Sequence, residues 1–342
     1  MNFVSKNIFL SILILGDYME KLIGHTPMIK IYYKYQEQVK YVYSKLEYFN
    51  LTGSIKDRMA YYIIQKSKED GSLLDGMPII EATSGNTGIS FSAIGTYYHH
   101  PVYIFMPDWV SRERVSLMES FGAHVTLISK EDGGFQRCIY EADRLALKLN
   151  GFRPNQFSNP YNVMAHYETT GKEISSCLDS IDGFASGVGT GGTLIGIAKK
   201  LKEKNPNVFI AALEPDTLPL MSTGCATGSH LIEGIGDDFV PDLMDLSMVD
   251  DILLINDEDA INMSRKLASN LGLGVGISSG ANLLAAVLLR EKVDGNIVTV
   301  FADDQKKYLS TKLLDPVDYN PNFVSNQISL IGYEVIDYVE IC

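Results

Sequence analysis

Gly53-Ser54-Ile55-Lys56-Asp57-Arg58 and the later string Thr83-Ser84-Gly85-Asn86-Thr87-Gly88 carry most of the information on the architecture of this chain. Lys56 offers a primary amine, which can form a Schiff base with an aldehyde. The second string offers hydroxyls, an amide and backbone N–H groups at a predicted helix start, and such groups bind carboxylates. The pair therefore suggests an aldehyde cofactor beside an amino-acid carboxylate.

Two more glycine-framed strings lie in the second half of the chain. Gly189-Thr190-Gly191-Gly192-Thr193 falls between an apolar stretch and a helical pattern, where backbone donors and the helix dipole can hold a phosphate. Gly276-Ile277-Ser278-Ser279-Gly280 places hydroxyls between glycines. A glycine-rich turn before a helix is common, so each string alone is weak evidence, whereas four together indicate one shared site.

In order and spacing the four strings resemble those of the cysteine synthase and cystathionine β-synthase family, the fold-type II pyridoxal-phosphate (PLP) enzymes. The resemblance covers roughly residues 20 to 312. It implies an α/β fold like that of the tryptophan synthase β chain: two open, mostly parallel sheets with helices on both faces, and PLP in the cleft between two domains.

Apolar runs typical of strands alternate with helical patterns along most of the chain, which independently predicts βαβ units. The strands are predicted at Met77 to Glu81, Val102 to Met106, His124 to Ile128, near Phe184, at Val208 to Leu213 and at Ile297 to Phe301. The helices are predicted to begin at Asn86, Arg112, Thr169, Gly191 and Asp257, and one of them to end at about Leu149.

The resemblance also implies that the domains are discontinuous. Residues 1–18 are interpreted as a mis-assigned start, with Met19 as the true first residue, or else as a targeting segment or N-terminal arm. The smaller, mobile domain would comprise residues 19–27 and 50–160, the larger PLP-binding domain residues 28–49 and 161–315, and the C-terminal tail residues 316–342. Only Ile331 to Ile341 of the tail reads as a strand.

The composition excludes several classes of protein. The formal net charge of −13 over 342 residues disfavours nucleic acid and anionic membrane surfaces as partners. The four cysteines, Cys138, Cys177, Cys225 and Cys342, show neither CxxC pairing nor clustering with histidine, so the sequence predicts no metal site and no disulfide framework. A reducing, cytoplasmic location fits this pattern best.

The resemblance assigns roles to individual residues. Lys56 would carry the cofactor and move the substrate Cα proton, and Ser278 would face the pyridine nitrogen. Because a neutral hydroxyl there does not stabilise a protonated ring, reactions at Cβ are expected. The phosphate would bind Gly189, Thr190, Gly191, Gly192 and Thr193, the ring hydroxyl Asn86, and the substrate carboxylate Thr83, Ser84, Asn86, Thr87 and Gln156. Helix capping is the alternative role for the hydroxyl residues.

Asp237 marks a departure from the family pattern. It stands in Gly234-Ile235-Gly236-Asp237-Asp238-Phe239, whereas cysteine synthases usually read GIGAGF and many cystathionine β-synthases GIGYDF. Water, with a pKa of about 15.7, needs a general base to act as a nucleophile. A fixed carboxylate would instead repel hydrosulfide. Asp237 is therefore either a base that activates water or a solvated loop residue.

These features predict an enzyme of sulfur amino-acid metabolism that eliminates or replaces the β-substituent of L-cysteine or an O-activated L-serine through an aminoacrylate. The preferred reaction is L-cysteine plus water to L-serine plus hydrogen sulfide. The alternatives are an O-acetylserine sulfhydrylase, a cystathionine β-synthase, or a non-enzymatic binding partner of a serine acetyltransferase tail. The resemblance also implies a homodimer.

Overall fold

The computed structural model describes residues 18–225, 227–316 and 319–336, and in these residues the strands form two separate sheets. The strands are β1 Met28–Tyr35, β2 Gln38–Leu46, β3 Ile79–Ala82, β4 Val102–Pro107, β5 His124–Ile128, β6 Gly183–Gly187, β7 Phe209–Pro215, β8 Asp251–Ile255, β9 Ile297–Phe301 and β10 Ser329–Ile336.

Helices precede or follow almost every strand. They are α1 Lys56–Glu69, α2 Asn86–Tyr97, α3 Arg112–Ser120, α4 Gly134–Leu149, α5 Pro160–Ala165, α6 Lys172–Cys177, α7 Gly192–Lys204, α8 Leu220–Thr223, α9 Asp257–Leu271, α10 Ile277–Arg290 and α11 Val324–Gln327. A π-helical turn, His166–Gly171, joins α5 to α6, and short 3₁₀ turns span Met19–Leu22, Glu47–Phe49, Leu246–Met248, Gln305–Lys307 and Lys312–Leu314. In the described part of the chain no helix is long and apolar enough to cross a membrane.

The larger sheet has the strand order β10-β1-β2-β9-β6-β7-β8. Its five strands from β2 to β8 run parallel, whereas β1 pairs antiparallel with both β2 and β10. The smaller sheet, β3-β4-β5, is entirely parallel. The predicted α/β class with two mostly parallel sheets is thereby confirmed.

Both faces of each sheet are covered, as parallel strands require. In β3, Ile79 packs with α1 and α2, while the next residue, Ile80, packs on the opposite face with Cys138 and Ala142 of α4. In β6, Phe184 is buried in the same cluster as the apolar residues of α7. All five residues of β9 are buried and four of them are apolar; the fifth, Thr299, donates its hydroxyl hydrogen to the Ala185 carbonyl at 2.7 Å.

The predicted elements agree with the structure to within a few residues, apart from one helix start and the tail strand, while strand β8 and the helices α1 and α10 were not predicted. The helical region placed at Thr169 begins earlier, at Pro160, where Asn159 accepts a hydrogen bond from the N–H of Tyr161 and proline occupies the first turn. The hairpin of β1 and β2 was not predicted. The tail strand is β10, and residues 337–341 of the predicted stretch lie outside the described residues, as do residues 1–17.

Candidate active site

A cavity of about 1230 Å³ lies beyond the carboxyl ends of strands from both sheets, including β3, β4, β6 and β9. Parallel strands place their following loops at one edge, so residues far apart in sequence meet there. The predicted site residues in its wall are Lys56, Thr83, Ser84, Asn86, Thr87, Gln156, Gly189, Thr190, Gly191, Thr193, Asp237 and Ser278. Only Gly192 does not line it, because it is buried against the side chain of Asn162.

Lys56 is the first residue of α1. The N–H of Ile55 donates to the carbonyl oxygen of Ala302 at 2.8 Å, which ties the helix start to the residue after β9. Removal of water lowers the pKa of the Lys56 ammonium, and the negative charges of Asp237 and Asp303 partly oppose that shift. The cavity thus favours the neutral, nucleophilic amine more than water does.

The string from Thr83 to Gly88 forms the turn between β3 and α2. Gly85 occupies the N-cap of α2, and no side chain caps that helix, so capping does not explain the hydroxyls. Thr87 Oγ1 instead donates to Gln156 Oε1 at 2.6 Å, and Gln156 Nε2 donates to the Ala82 carbonyl at 3.0 Å. These bonds join two predicted substrate-binding residues directly.

The string from Gly189 to Thr193 leads into α7, a helix of 13 residues. Gly191 has φ +81°, a left-handed conformation that glycine adopts without strain. A Cβ atom on Gly189 would lie 2.5 Å from the carbonyl oxygen of Gly234, so only glycine fits there. Backbone N–H groups and the helix dipole are therefore free of side-chain obstruction at this end of α7.

His166 lies behind this loop and is fully buried. Its Nδ1 is 3.0 Å from Thr170 Oγ1 and its Nε2 is 3.3 Å from Thr193 Oγ1. Burial holds the pKa of His166 well below its usual range, and the charges of Lys56 and Arg58 add to the effect. A neutral imidazole therefore supports the hydroxyl of Thr193.

These residues fit PLP. The amine of Lys56 has a lowered pKa, the glycines at the start of α7 leave room for a phosphate, and Asn86 Oδ1 is buried without a hydrogen-bond partner among the described residues. Lys56 would hold the aldehyde carbon, the loop from Gly189 the phosphate, and Asn86 and Ser278 the ring. Nothing in the cavity wall contradicts this assignment.

Asp237 follows two glycines with positive φ, Gly234 at +93° and Gly236 at +75°. Gly236 is fixed on both sides, since its N–H donates to the Val188 carbonyl at 2.9 Å and its carbonyl accepts from His230 Nε2 at 2.6 Å. Loss of water raises the pKa of Asp237 to about 6; the charge of Lys56 lowers it and that of Asp238 adds to the rise. Asp237 is thus half-buried and close enough to Lys56 for each charge to influence the other.

Three residues of this region were not predicted from the sequence: Arg114, Glu233 and Asp303. Arg114 of α3 forms an ion pair with Glu233 across the cavity, and its guanidinium lies 4.5 Å from the ring centre of Tyr308. The partners are 119 residues apart, so no local pattern could reveal the pair. No group of three or more His, Cys, Asp or Glu residues within 18–225, 227–316 and 319–336 is arranged to hold a metal ion.

Comparison with known proteins agrees with this geometry. A family model described as pyridoxal-phosphate dependent enzyme matches residues 19–303. Cysteine synthase of Staphylococcus aureus (strain Mu50) is 36% identical over 301 residues, covering 87% of this chain and 96% of the relative. Cysteine synthase of Entamoeba histolytica is 35% identical, with a TM-score of 0.81 and coverage of 91% and 95% of the two chains.

A hydrogen sulfide-producing enzyme from Fusobacterium nucleatum is more similar, at 48% identity, a TM-score of 0.89 and coverage of 92% and 96%. An aspartate-to-asparagine mutant of that enzyme, complexed with an α-aminoacrylate intermediate, has a TM-score of 0.90. The chain belongs to the pyridoxal-phosphate-dependent enzyme family, within the group that includes cysteine synthases. The family and the cofactor predicted from the sequence are therefore confirmed.

Proposed function

We propose that this enzyme converts L-cysteine and water into L-serine and hydrogen sulfide, and that Asp237 is the base that activates the water. One observation carries the proposal: a half-buried carboxylate with a pKa of about 6 lines the same cavity as Lys56. A general base is most effective when its pKa lies near the working pH. Relatives that produce hydrogen sulfide support the choice of cysteine as substrate.

The substrate carboxylate would bind at the start of α2. Thr83, Ser84 and Thr87 supply hydroxyls in the cavity wall, and the hydrogen bond from Thr87 to Gln156 holds the two side chains together. The N–H groups of the first turn of α2 favour an anion at this position. Binding there fixes the substrate Cα beside Lys56.

Lys56 moves the proton at the substrate Cα. Bound PLP supplies an electron sink, which makes it possible for the Cα–H and Cβ–S bonds to break. Because burial lowers its pKa, the amine of Lys56 is neutral for a larger fraction of the time than a lysine in water, and only the neutral amine accepts a proton. The sulfur leaves as hydrosulfide, which takes up a proton to become hydrogen sulfide.

Asp237 takes one proton from water as the water oxygen bonds to Cβ, and the Cα proton is then returned by Lys56. In the overall reaction one C–S bond is replaced by one C–O bond, with no change in oxidation state. A carboxylate at this place promotes the addition of water to Cβ. It disfavours the addition of hydrosulfide, because like charges repel in a partly desolvated cavity. It therefore favours serine over the re-formation of cysteine.

Three finer expectations also remain proposals. A homodimer follows from the resemblance, and a cytoplasmic location from the pattern of the cysteines. Capture of an anionic serine acetyltransferase tail is disfavoured, because Asp237, Asp238, Glu131 and Glu233 all line the cavity that the tail carboxylate would enter.

The decisive experiment is to incubate the PLP-bound enzyme with L-cysteine alone and to quantify sulfide, L-serine and pyruvate. We expect equimolar sulfide and serine. Asp237→Asn should lower serine formation by about 10²- to 10⁴-fold, the usual contribution of a general base. The rate in the parent enzyme should rise with pH through about 6, as Asp237 loses its proton.

Asp238→Asn is the matched control, since Asp238 is the exposed neighbour of Asp237 and should leave serine formation within about threefold. Unchanged serine formation in Asp237→Asn would refute the role of the residue. Turnover only when O-acetylserine and sulfide are supplied would favour the second candidate, a cysteine synthase, which the Staphylococcus aureus relative suggests.

A further inference from the structure

Asp303 is a buried carboxylate that neither the sequence strings nor the proposed reaction explains. It lies two residues beyond β9 and has no exposed surface. One of its oxygens, Oδ2, accepts a hydrogen bond from Asn86 Nδ2 at 2.6 Å and another from the hydroxyl of Tyr308. The other oxygen, Oδ1, is buried and has no hydrogen-bond partner among the described residues.

The backbone of Asp303 joins the strings that meet around the cofactor site. It forms an isolated antiparallel bridge with Ser54, two residues before Lys56. Its carbonyl accepts a hydrogen bond from the N–H of Gly276 at 2.9 Å, two residues before Ser278. A Cβ atom on Gly276 would collide with the Asp303 carboxylate, which explains why glycine opens that string.

The side chain of Asp303 contacts a further string, Thr83 to Gly88, through its hydrogen bond with Asn86. A carboxylate is only an acceptor, so it must receive an N–H of the Asn86 amide and cannot face the amide oxygen. The amide is thereby held in one of its two orientations, with Oδ1 still unpartnered and one N–H of Nδ2 not used by Asp303. Hydrogen bonds to a charged acceptor are among the stronger ones in proteins.

We propose that Asp303 is a positioning residue for PLP: it fixes the orientation in which the Asn86 carboxamide meets the cofactor ring. Buried charges of this kind are weak evidence for a purely stabilising role, because desolvation offsets much of the gain. The proposal rests on the cofactor of the family and is independent of the water-adding reaction, so either idea can fail without the other.

A double-mutant cycle on PLP affinity tests it. The dissociation constant of PLP is measured from the visible absorbance of the full-length enzyme for the parent, Asp303→Asn, Asn86→Ala and the double variant. Asp303→Asn should raise the constant by about 10- to 100-fold in the parent, the value of a hydrogen bond to a charged group. In the Asn86→Ala background the same change should cost at least about fivefold less, because only the effect of the Asp303 charge on Lys56 then remains.

Asp304→Asn is the control for charge, because it removes one carboxylate at the adjacent position, where Asp304 accepts from the Lys306 N–H and does not bond to Asn86. It should leave the dissociation constant within about twofold. An unchanged constant in Asp303→Asn, or an equal loss in both backgrounds, overturns the proposal, since a structural role would act with or without Asn86.

A measurement without substitution at Asp303 covers the case in which that variant does not fold. In holoenzyme labelled with [¹⁵N]asparagine, the Asn86 carboxamide signal is identified by its absence in Asn86→Ala. Its N–H protons should exchange with water at least about tenfold more slowly than those of a solvent-exposed asparagine, because one of them is held by a buried carboxylate. Exchange as fast as at an exposed asparagine overturns the proposal.

Discussion

The first turn of α1 lies between two groups of charged residues whose pKa values are shifted differently. On one side Arg58 forms bidentate hydrogen bonds with both Glu47 and Glu173, at 2.6 to 2.9 Å, and Lys45 lies 2.7 Å from Glu173. Burial alone would raise the pKa of Glu173, but Arg58 and Lys45 hold it well below its usual range. We refer to Lys45, Glu47, Arg58 and Glu173 as the buried charge cluster.

On the cavity side, two residues earlier, the pKa shifts of Lys56 and Asp237 are opposite in direction to those of Arg58 and Glu173, although burial lowers the pKa of Lys45 in the buried charge cluster as well. The pKa of Lys56 is lowered and that of Asp237 is raised to about 6, so each group is pushed toward its neutral form. The difference shows that buried ions with oppositely charged hydrogen-bond partners stay charged and anchor the helix. Buried groups without such partners are shifted toward their neutral forms and can exchange protons more readily. One helix turn therefore carries both the anchor and the amine proposed to react.

The largest effect is expected at the cavity side. Lys56→Ala removes the proposed cofactor anchor and base, so sulfide release from L-cysteine should fall by at least about 10³-fold. Lys66→Ala, on the same helix, breaks a solvent-accessible pair with Glu69 and a cation–π contact with Tyr62 and should have no effect on this rate. Thermal unfolding of the apoprotein should be nearly unchanged in Lys56→Ala. If Lys56→Ala kept more than a tenth of the parent activity, the proposed difference between the cavity side and the buried charge cluster would be wrong.

A second substitution tests the buried charge cluster. Arg58→Met leaves Glu47 and Glu173 buried with only Lys45 to compensate them, which should lower the free energy of unfolding by about 3–5 kcal/mol. Urea unfolding of the apoprotein at pH 7 measures this. Lys66→Met should change it by no more than about 0.5 kcal/mol. If Arg58→Met also lowered the free energy of unfolding by no more than about 0.5 kcal/mol, the buried charge cluster would not anchor α1.

The smallest effect concerns stability against pH. The pKa of Asp237 is above its unfolded value of 3.8, so the native state binds the proton more tightly and loses stability as pH rises from about 4 through about 6. Asp237→Asn removes that loss. The apoprotein variant should be more stable than the parent at pH 7.5 by about 1–2 kcal/mol, after allowance for partial exposure, and by less at pH 4.5.

Thermal unfolding at the two pH values, with Asp238→Asn as the control, provides the measurement. A gain in Asp237→Asn that is the same at both pH values would show that ionisation of Asp237 is not its cause.

The sequence predicted best what depends on local pattern. Strand β9 matches its predicted bounds because four of its five residues are apolar and the fifth is the β-branched Thr299, and α2 begins at Asn86 as expected. The glycine-rich strings were recognisable because glycine adopts the left-handed conformations and permits the close backbone approaches that turns of this kind need, as at Gly191 and Gly189. The hairpin of β1 and β2 was missed, since its sequence carries many tyrosines and lysines among its apolar residues.

Long-range partners could not be predicted in the same way. Arg58 and Glu173 are 115 residues apart, and Asn86 and Asp303 are 217 apart, so each pair exists only because the fold brings two loops together. The shifted pKa of Asp237 depends on its burial, which the loop sequence does not determine. The residue was identifiable only as a departure from the family pattern.

Three consecutive residues of α1 have three different partners. Lys56 lines the cavity, Asp57 accepts hydrogen bonds from Thr52 and Ser90 at 2.6 to 2.7 Å, and Arg58 enters the buried charge cluster. Each residue of a helix is rotated by about 100° from the one before. Inserting or deleting a single residue in this turn would rotate the side chains on its two sides by about 100° relative to each other, so the three contacts together fix the number of residues from Thr52 to Arg58.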